Sequence, residues 1–238
     1  MKTVIIIQIV SVIISLIAPI FFYRSFKEGI DKSNIECSQK LKSNGILFGS
    51  LSIWVLLVYI FTLNEVFAYS HDELFPKFLF GLLIPVIITL LQFRNKRFRT
   101  IINNMSYKSL AEGQLWRVLG AIFFLVATSG IGPREFISSG VGDVTTGLIA
   151  LLTVWALTKG FKWSKMSMWA LIAFGVSDLL IVLFVLLTKY PIWYDAMPST
   201  AIAGSFPMML IIGIAAPMAL LLHIFMLRKL ILENKANN

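Results

Sequence analysis

Residues 166–188 read MSMWALIAFGVSDLLIVLFVLLT, with Asp178 as the one ionisable side chain. A helix rises about 1.5 Å per residue, so this stretch is long enough to cross a ~30 Å hydrocarbon layer. It lacks the period-two alternation of a barrel strand. Backbone groups in lipid must satisfy one another, so the stretch reads as a membrane helix. Apolar segments of the same kind recur outward from it, at about 4–23, 45–63, 74–93, 115–131, 142–158 and 206–227. The expectation is an all-α polytopic membrane protein with seven transmembrane helices, one transmembrane domain over 1–238. Composition agrees: 58% of the 238 residues are apolar and 14% charged. That leaves too little polar surface for a water-soluble globule, a disordered chain or a disulfide scaffold.

Charge orients the helices. Segments 24–44, 94–117, 159–165 and 228–238 hold 5, 6, 3 and 3 Lys/Arg, 17 of the 21. Lys2, Lys77, Arg134 and Lys189 make up the rest. The positive-inside bias therefore predicts the N-terminus outside and the C-terminus inside, in the cell membrane. The net charge of +9 belongs to loops facing an anionic leaflet, so anionic lipids are expected partners and nucleic acid is not. Trp116, Trp163, Tyr23, Trp193 and Tyr190 stand at expected helix ends as interface anchors.

The first segment reads as a retained helix, because Ile20-Phe21-Phe22-Tyr23-Arg24 follows it rather than a small-residue cleavage site. Cys37 is the single cysteine and has no internal partner. Asn104-Met105-Ser106 matches a glycosylation acceptor, which the orientation keeps inside and unmodified. Phe98, Ile101, Ile102 and Met105 recur at helical spacing beside Arg94, Lys96, Arg97, Arg99 and Lys108. This predicts either a basic interfacial helix or a solvated loop.

A repeat is also expected. Ile46, Phe48, Gly49 and Thr62 match Ile172, Phe174, Gly175 and Thr188 at one offset. Phe75-Pro76, Gly81 and Pro85 match Phe206-Pro207, Gly213 and Pro217 with one residue inserted. Together they suggest parallel halves in a 3+1+3 order, the kind of repeat that places a transporter's binding site at the midplane. Pro85 and Pro217 each remove a helical hydrogen bond and are candidate hinges or packing kinks.

Ionisable groups inside spans are costly and mark candidate sites. Asp178 lies near the centre of the sixth segment and Asp143 near the outer end of the fifth, where it caps that helix or pairs with Arg134. His223 reads as a neutral imidazole packed between helices. Gln8, Ser11 and Ser15 recur along the first helix, and Glu65 ends the second. Arg134 and Glu135 sit in the glycine-rich stretch 130–143, at the mouth of an expected outward cavity.

The turn Pro133-Arg134-Glu135-Phe136, then Gly140-Val141-Gly142-Asp143 and Gly147, resembles a family of small bacterial integral membrane proteins without assigned activity. Their pattern is Leu-Pro-x-x-Phe-x-x-Pro-Ala-Gly-x-Gly-Asp, and Phe206-Pro207, Pro217 and His223 also fit it. This chain has Ser138-Ser139 where that pattern has Pro-Ala. The resemblance covers roughly the second half of the chain and implies no chemistry. The 3+1+3 order resembles that of the SWEET sugar carriers, although their Pro-Gln signature is absent here. Gly-x-Gly-Asp resembles the motif of intramembrane aspartyl proteases, which would make Asp143 and Asp178 a catalytic pair.

Other chemistries fall away. The last segment has no lysine before Lys229, so retinal cannot be bound covalently. His71 and His223 lie on opposite sides of the expected membrane and cannot share a metal or haem, so no metal or other cofactor is expected. Ser139 is too far from His223 for a serine–histidine dyad. The expectation is a transporter or carrier that binds a small molecule or ion in an outward-facing polar cavity. Asp178 binds or couples, Asp143, Arg134, Glu135, Gln8 and Glu65 line or gate the cavity, and Pro85 and Pro217 bend. The alternatives are the aspartyl protease and a structural or receptor-like subunit without chemistry. Gly147 serves internal packing or a homo-oligomer contact equally well.

Overall fold

The computed structural model describes residues 2–236, and among them it is helical with no strand. Six helical segments are long and apolar enough to cross a membrane, and a bent pair allows a seventh. The chain is thus a multi-pass membrane protein.

Helix α1 (Lys2–Lys32) and helix α2 (Cys37–Leu63) are 31 and 27 residues long. At about 1.5 Å per residue both exceed a ~30 Å hydrocarbon layer. The last turns of α1 are polar, with the i,i+4 pairs Lys27–Asp31 and Lys32–Glu28 at 2.5 Å each. Helix α3 (Phe78–Leu91) runs on through a 3-10 turn, Gln92–Arg94, and then bends by 104° into α4 (Lys96–Asn104). Asn95 starts α4 by accepting from the Arg97 amide at 2.9 Å. The basic stretch is therefore a helix: Ile101 and Ile102 are buried, over an aromatic group of Phe26, Phe93, Phe98 and Phe225.

The fourth segment starts earlier than expected. It comprises α5 (Tyr107–Glu112), a 3-10 turn (Leu115–Ala121) and α6 (Ile122–Thr128), together one candidate span. Lys108, Glu112 and Gln114 dilute its apolar signal, which is why sequence places its start at 115. Ser106 caps it, accepting from the Ser109 amide at 3.1 Å, and Glu28 of α1 accepts from the Ser106 hydroxyl at 2.9 Å. Trp116 is buried here and is no interface anchor.

Helix α7 (Phe136–Lys159) also starts early, before 142, because Gly140 and Gly142 are helical rather than turn residues. It stops at Gly160, whose φ of +66° lets the Phe161 amide donate back to Ala156 at 3.1 Å. Helix α8 (Ser164–Thr188) is antiparallel to it across a short turn. Tyr190, expected as an anchor, is fully buried: its ring packs on Phe78 and its hydroxyl donates to Glu73.

The last span passes through the middle of the bundle. It consists of α9 (Met208–Leu210), a π-helical turn (Ile211–Ala215) and α10 (Ala216–Ala236), and most of its apolar stretch is buried. It touches α1, α3, α5 and α8. The two Gly-x-x-x-Pro stretches meet here: a Cβ on Gly81 would lie 3.3 Å from the Gly213 Cα, so α3 crosses the π turn almost backbone to backbone. The π turn ends two residues before Pro217, which has no N–H to donate, and the Gly213 carbonyl accepts from the Trp54 indole at 2.8 Å. Helix α3, by contrast, continues through Pro85, and its sharp bend falls at Asn95.

Contacts sort the connections into two ends. At one, Glu28 meets Ser106, Lys229 reaches the Asn103 carbonyl at 3.1 Å and Lys165 reaches Asn234 at 2.6 Å. At the other, Tyr190 meets Glu73, Lys189 pairs with Glu135 at 2.9 Å, and Thr200 donates to the Leu186 carbonyl at 2.7 Å.

Candidate functional site

The 3-10 turn of the fourth segment points Arg117 into the bundle, where the whole residue is buried. Its guanidinium is held from three helices. Nε donates to Asp143 Oδ1 of α7 at 2.6 Å, and Nη2 donates to Asp178 Oδ2 of α8. Nη1 lies 3.3 Å from His223 Nε2 of α10 and 3.5 Å from the Gly175 carbonyl. A guanidinium only donates, so His223 Nε2 accepts and the ring proton sits on Nδ1. That Nδ1 is buried without a partner.

Glycines make the cluster sterically possible. A Cβ on Gly120 would run into Asp143, one on Gly142 into the Asp178 carboxylate, and one on Gly175 into the His223 ring. The Gly140-Val141-Gly142-Asp143 stretch is thus a close-packing device: one glycine admits Asp178, and the aspartate reaches Arg117. Gln114, three residues before Arg117, ties the same segment to the Ala219 carbonyl of α10 at 3.0 Å.

Two carboxylates share one guanidinium, so with both ionised the cluster would carry one negative charge more than positive. In a low-dielectric interior that excess calls for a proton or a cation. Beside it lies a cavity of about 110 Å³, walled by Leu82, Trp116, Phe123, Leu183 and Ile212, with Arg117, Asp143 and Asp178 as its charged lining. Ser139 and Thr146, on the face of α7 that carries Asp143, are buried and their hydroxyls have no partner. The site is therefore polar inside an apolar wall, with room for waters or a small ligand.

Of the residues singled out by sequence, the structure brings together Asp143 and Asp178 and adds His223. Asp143 neither caps a helix nor pairs with Arg134; it is interior to α7 and pairs with Arg117. Asp178, the one ionisable side chain of its own segment, has Arg117 of the fourth segment buried against it. Among the described residues no hydrogen bond or ion pair joins Arg134, Glu135, Gln8 or Glu65 to the cluster. Arg134 is exposed; Gln8 is half-buried on α1; Glu65 is exposed just past α2 at a φ of 57°. Glu135 pairs with Lys189, whose ammonium holds the carboxyl below its ordinary range, while Glu135 raises the lysine. Among the described residues no group of three His, Cys, Asp or Glu could hold a metal ion.

Charge counting assigns Arg117 to the basic segment 94–117, whereas the structure buries it in the bundle. Its signal is its setting, Leu115-Trp116-Arg117-Val118-Leu119, apolar on both sides and separated from Lys108. Two intramembrane aspartates without a counter-ion also require such a partner.

The model of a family described as a domain of unknown function, DUF8737, matches residues 75–231. That is well over half of the chain, and the chain belongs to this family. The matched stretch contains Arg117, Asp143, Asp178 and His223. No curated relative and no solved structure matches the chain.

Proposed function

We propose that this DUF8737-family protein is a cell-membrane carrier whose Arg117–Asp143–Asp178 cluster binds a monovalent cation, a proton in the simplest case. One observation carries the reading: two buried carboxylates compete for a single guanidinium beside a cavity of about 110 Å³. Asp178 is the binding or coupling group. Asp143 positions Arg117, and Arg117 sets how much negative charge remains for a ligand. The π turn before Pro217 and the bend at Asn95 are the places where the spans can flex.

Seven spans with the N-terminus outside suit this reading. Without Arg117, the basic-end segments still hold 16 of the 21 Lys/Arg, and the basic run Lys96, Arg97 and Arg99 of α4 supports anionic lipid as a partner. The aspartyl-protease alternative is poorly served, because a guanidinium lies between carboxylates that such an enzyme needs to share one proton.

The test is a proton-flux measurement in proteoliposomes. Asp178→Asn should abolish pH-dependent exchange while the purified variant still elutes as a folded species. An unchanged pH profile overturns the coupling role. A second reading, a structural subunit in which the cluster only fixes helix register, draws on the complete burial of Arg117. Wild-type protein with no proton or cation exchange at all would favour it.

A further inference from the structure

The Asp178 carboxylate has two sides. Oδ2 accepts from Arg117 inside the bundle. Oδ1 has no partner, although the residue is only 4% exposed. Oδ1 lies over Gly142, in the space where any side chain on α7 would stand. Beyond that gap runs a groove of about 580 Å³ between α7 and α8, with Asp178 among its lining residues. Val141, Phe174 and Ile181 wall it and are 52%, 55% and 48% exposed, and Ser138 and Ser177 add two hydroxyls. Asp178 is 14 residues from Ser164 and 10 from Thr188, the ends of α8. At about 1.5 Å per residue it lies roughly 21 Å and 15 Å from them, at hydrocarbon depth. Exposed apolar walls at that depth face lipid.

We propose that Asp178 takes a lipophilic monocation directly from the bilayer through the α7–α8 groove. The proposal rests on the carrier reading above and names its substrate class. The apolar body lies against Val141, Phe174 and Ile181, and the cationic centre lies in the groove beside Gly142 and Asp178, attracted by the Asp178 carboxylate. The negative charge that Asp178 carries once its proton leaves supplies the attraction. A hydrated metal cation would lose its water in such a groove without enough oxygen ligands to replace it. A phospholipid ammonium sits at headgroup level, too far from Asp178 to reach it.

The experiment measures equilibrium binding of tetraphenylphosphonium and of tetramethylammonium to the full-length protein in nanodiscs. Saturable tetraphenylphosphonium binding, at least tenfold tighter than that of tetramethylammonium and accompanied by proton release, is expected. Ser177→Trp, at an exposed position, fills the groove and should weaken tetraphenylphosphonium at least tenfold; Val141→Trp should do the same from the other wall. Asp178→Asn should abolish the binding. Absence of saturable binding, or unchanged binding in both tryptophan variants, overturns the proposal. A tryptophan variant that changes the oligomeric state also overturns it, because the groove is then an interface between copies. Proton exchange by the wild type, measured alone, tells the two failures apart: if it persists without tetraphenylphosphonium binding, the carrier reading stands and lateral entry falls.

Discussion

The Trp54 indole of α2 donates to the Gly213 carbonyl at 2.8 Å, four residues before Pro217, which has no N–H to offer it in α-helical register. Helix α2 is thereby tied to the backbone of the central span. Trp54→Phe strands that buried carbonyl and should cost about 1–3 kcal/mol. In a Pro217→Ala background the chain can supply its own N–H, so the same substitution should cost less. A double-mutant cycle on unfolding in detergent measures the difference, and equal costs in both backgrounds would refute the relationship.

Arg117 is the least replaceable residue of the interior. Arg117→Met leaves Asp143 and Asp178 buried without their counter-ion, a loss of about 3–5 kcal/mol. The triple variant Arg117→Met, Asp143→Leu, Asp178→Leu removes all three charges and should recover most of that stability while abolishing cation exchange. Thermal unfolding and flux assays read the two properties separately. A triple variant that stays as unstable as Arg117→Met would show that the cluster holds the fold by more than its charge balance.

Glycine substitutions discriminate packing from chance. Gly142→Ala and Gly175→Ala place a methyl on Asp178 and on His223, and each should destabilise by about 1–3 kcal/mol. Nothing lies within 4 Å of a Cβ on Gly49, so Gly49→Ala should be neutral or stabilising by up to about 1 kcal/mol. Melting temperatures of the three variants, ranked against the wild type, check the contrast.

The Glu135–Lys189 pair should leave a pH signature of definite sign. Hydrogen bonding to Lys189 lowers the Glu135 carboxyl, so its contribution is present above the unfolded carboxylate value and is lost as pH falls through the depressed one. Glu135 raises Lys189, so that contribution is present below the unfolded lysine value and is lost as pH rises through the raised one. Both groups are open to water, so the change in melting temperature should be small, about 1–2 °C, and suppressed by salt. Glu135→Gln should flatten the acid limb; an acid limb unchanged in that variant would assign it elsewhere.

Tyr190 offers a larger effect at the same end. Its hydroxyl is raised by burial first and by the Glu73 hydrogen bond second. Tyr190→Phe leaves Glu73, whose side chain is 3% exposed, without its donor. A loss of about 1–3 kcal/mol is expected, measured by thermal unfolding, and a neutral effect would mean that Lys77 alone serves the carboxylate.

Sequence by itself determined the class of the molecule, because crossing lipid imposes a length and a composition that no tertiary context changes. Apolar runs such as 166–188 are helical spans whatever packs against them. It also marked Asp143 and Asp178 as sites, since a carboxylate in an apolar run is costly in any fold. Only the tertiary structure decided what those carboxylates do. Arg117 is 26 residues from Asp143 and 61 from Asp178, and its pairing with both depends on a 3-10 turn and on three helices brought close by glycines. The same close packing turned Gly140 and Gly142 from an apparent loop into helix interior, and Trp116 from a surface anchor into a cavity wall. Local pattern records the solvent a segment lives in; which side chains meet across helices is set by packing between segments far apart in the chain.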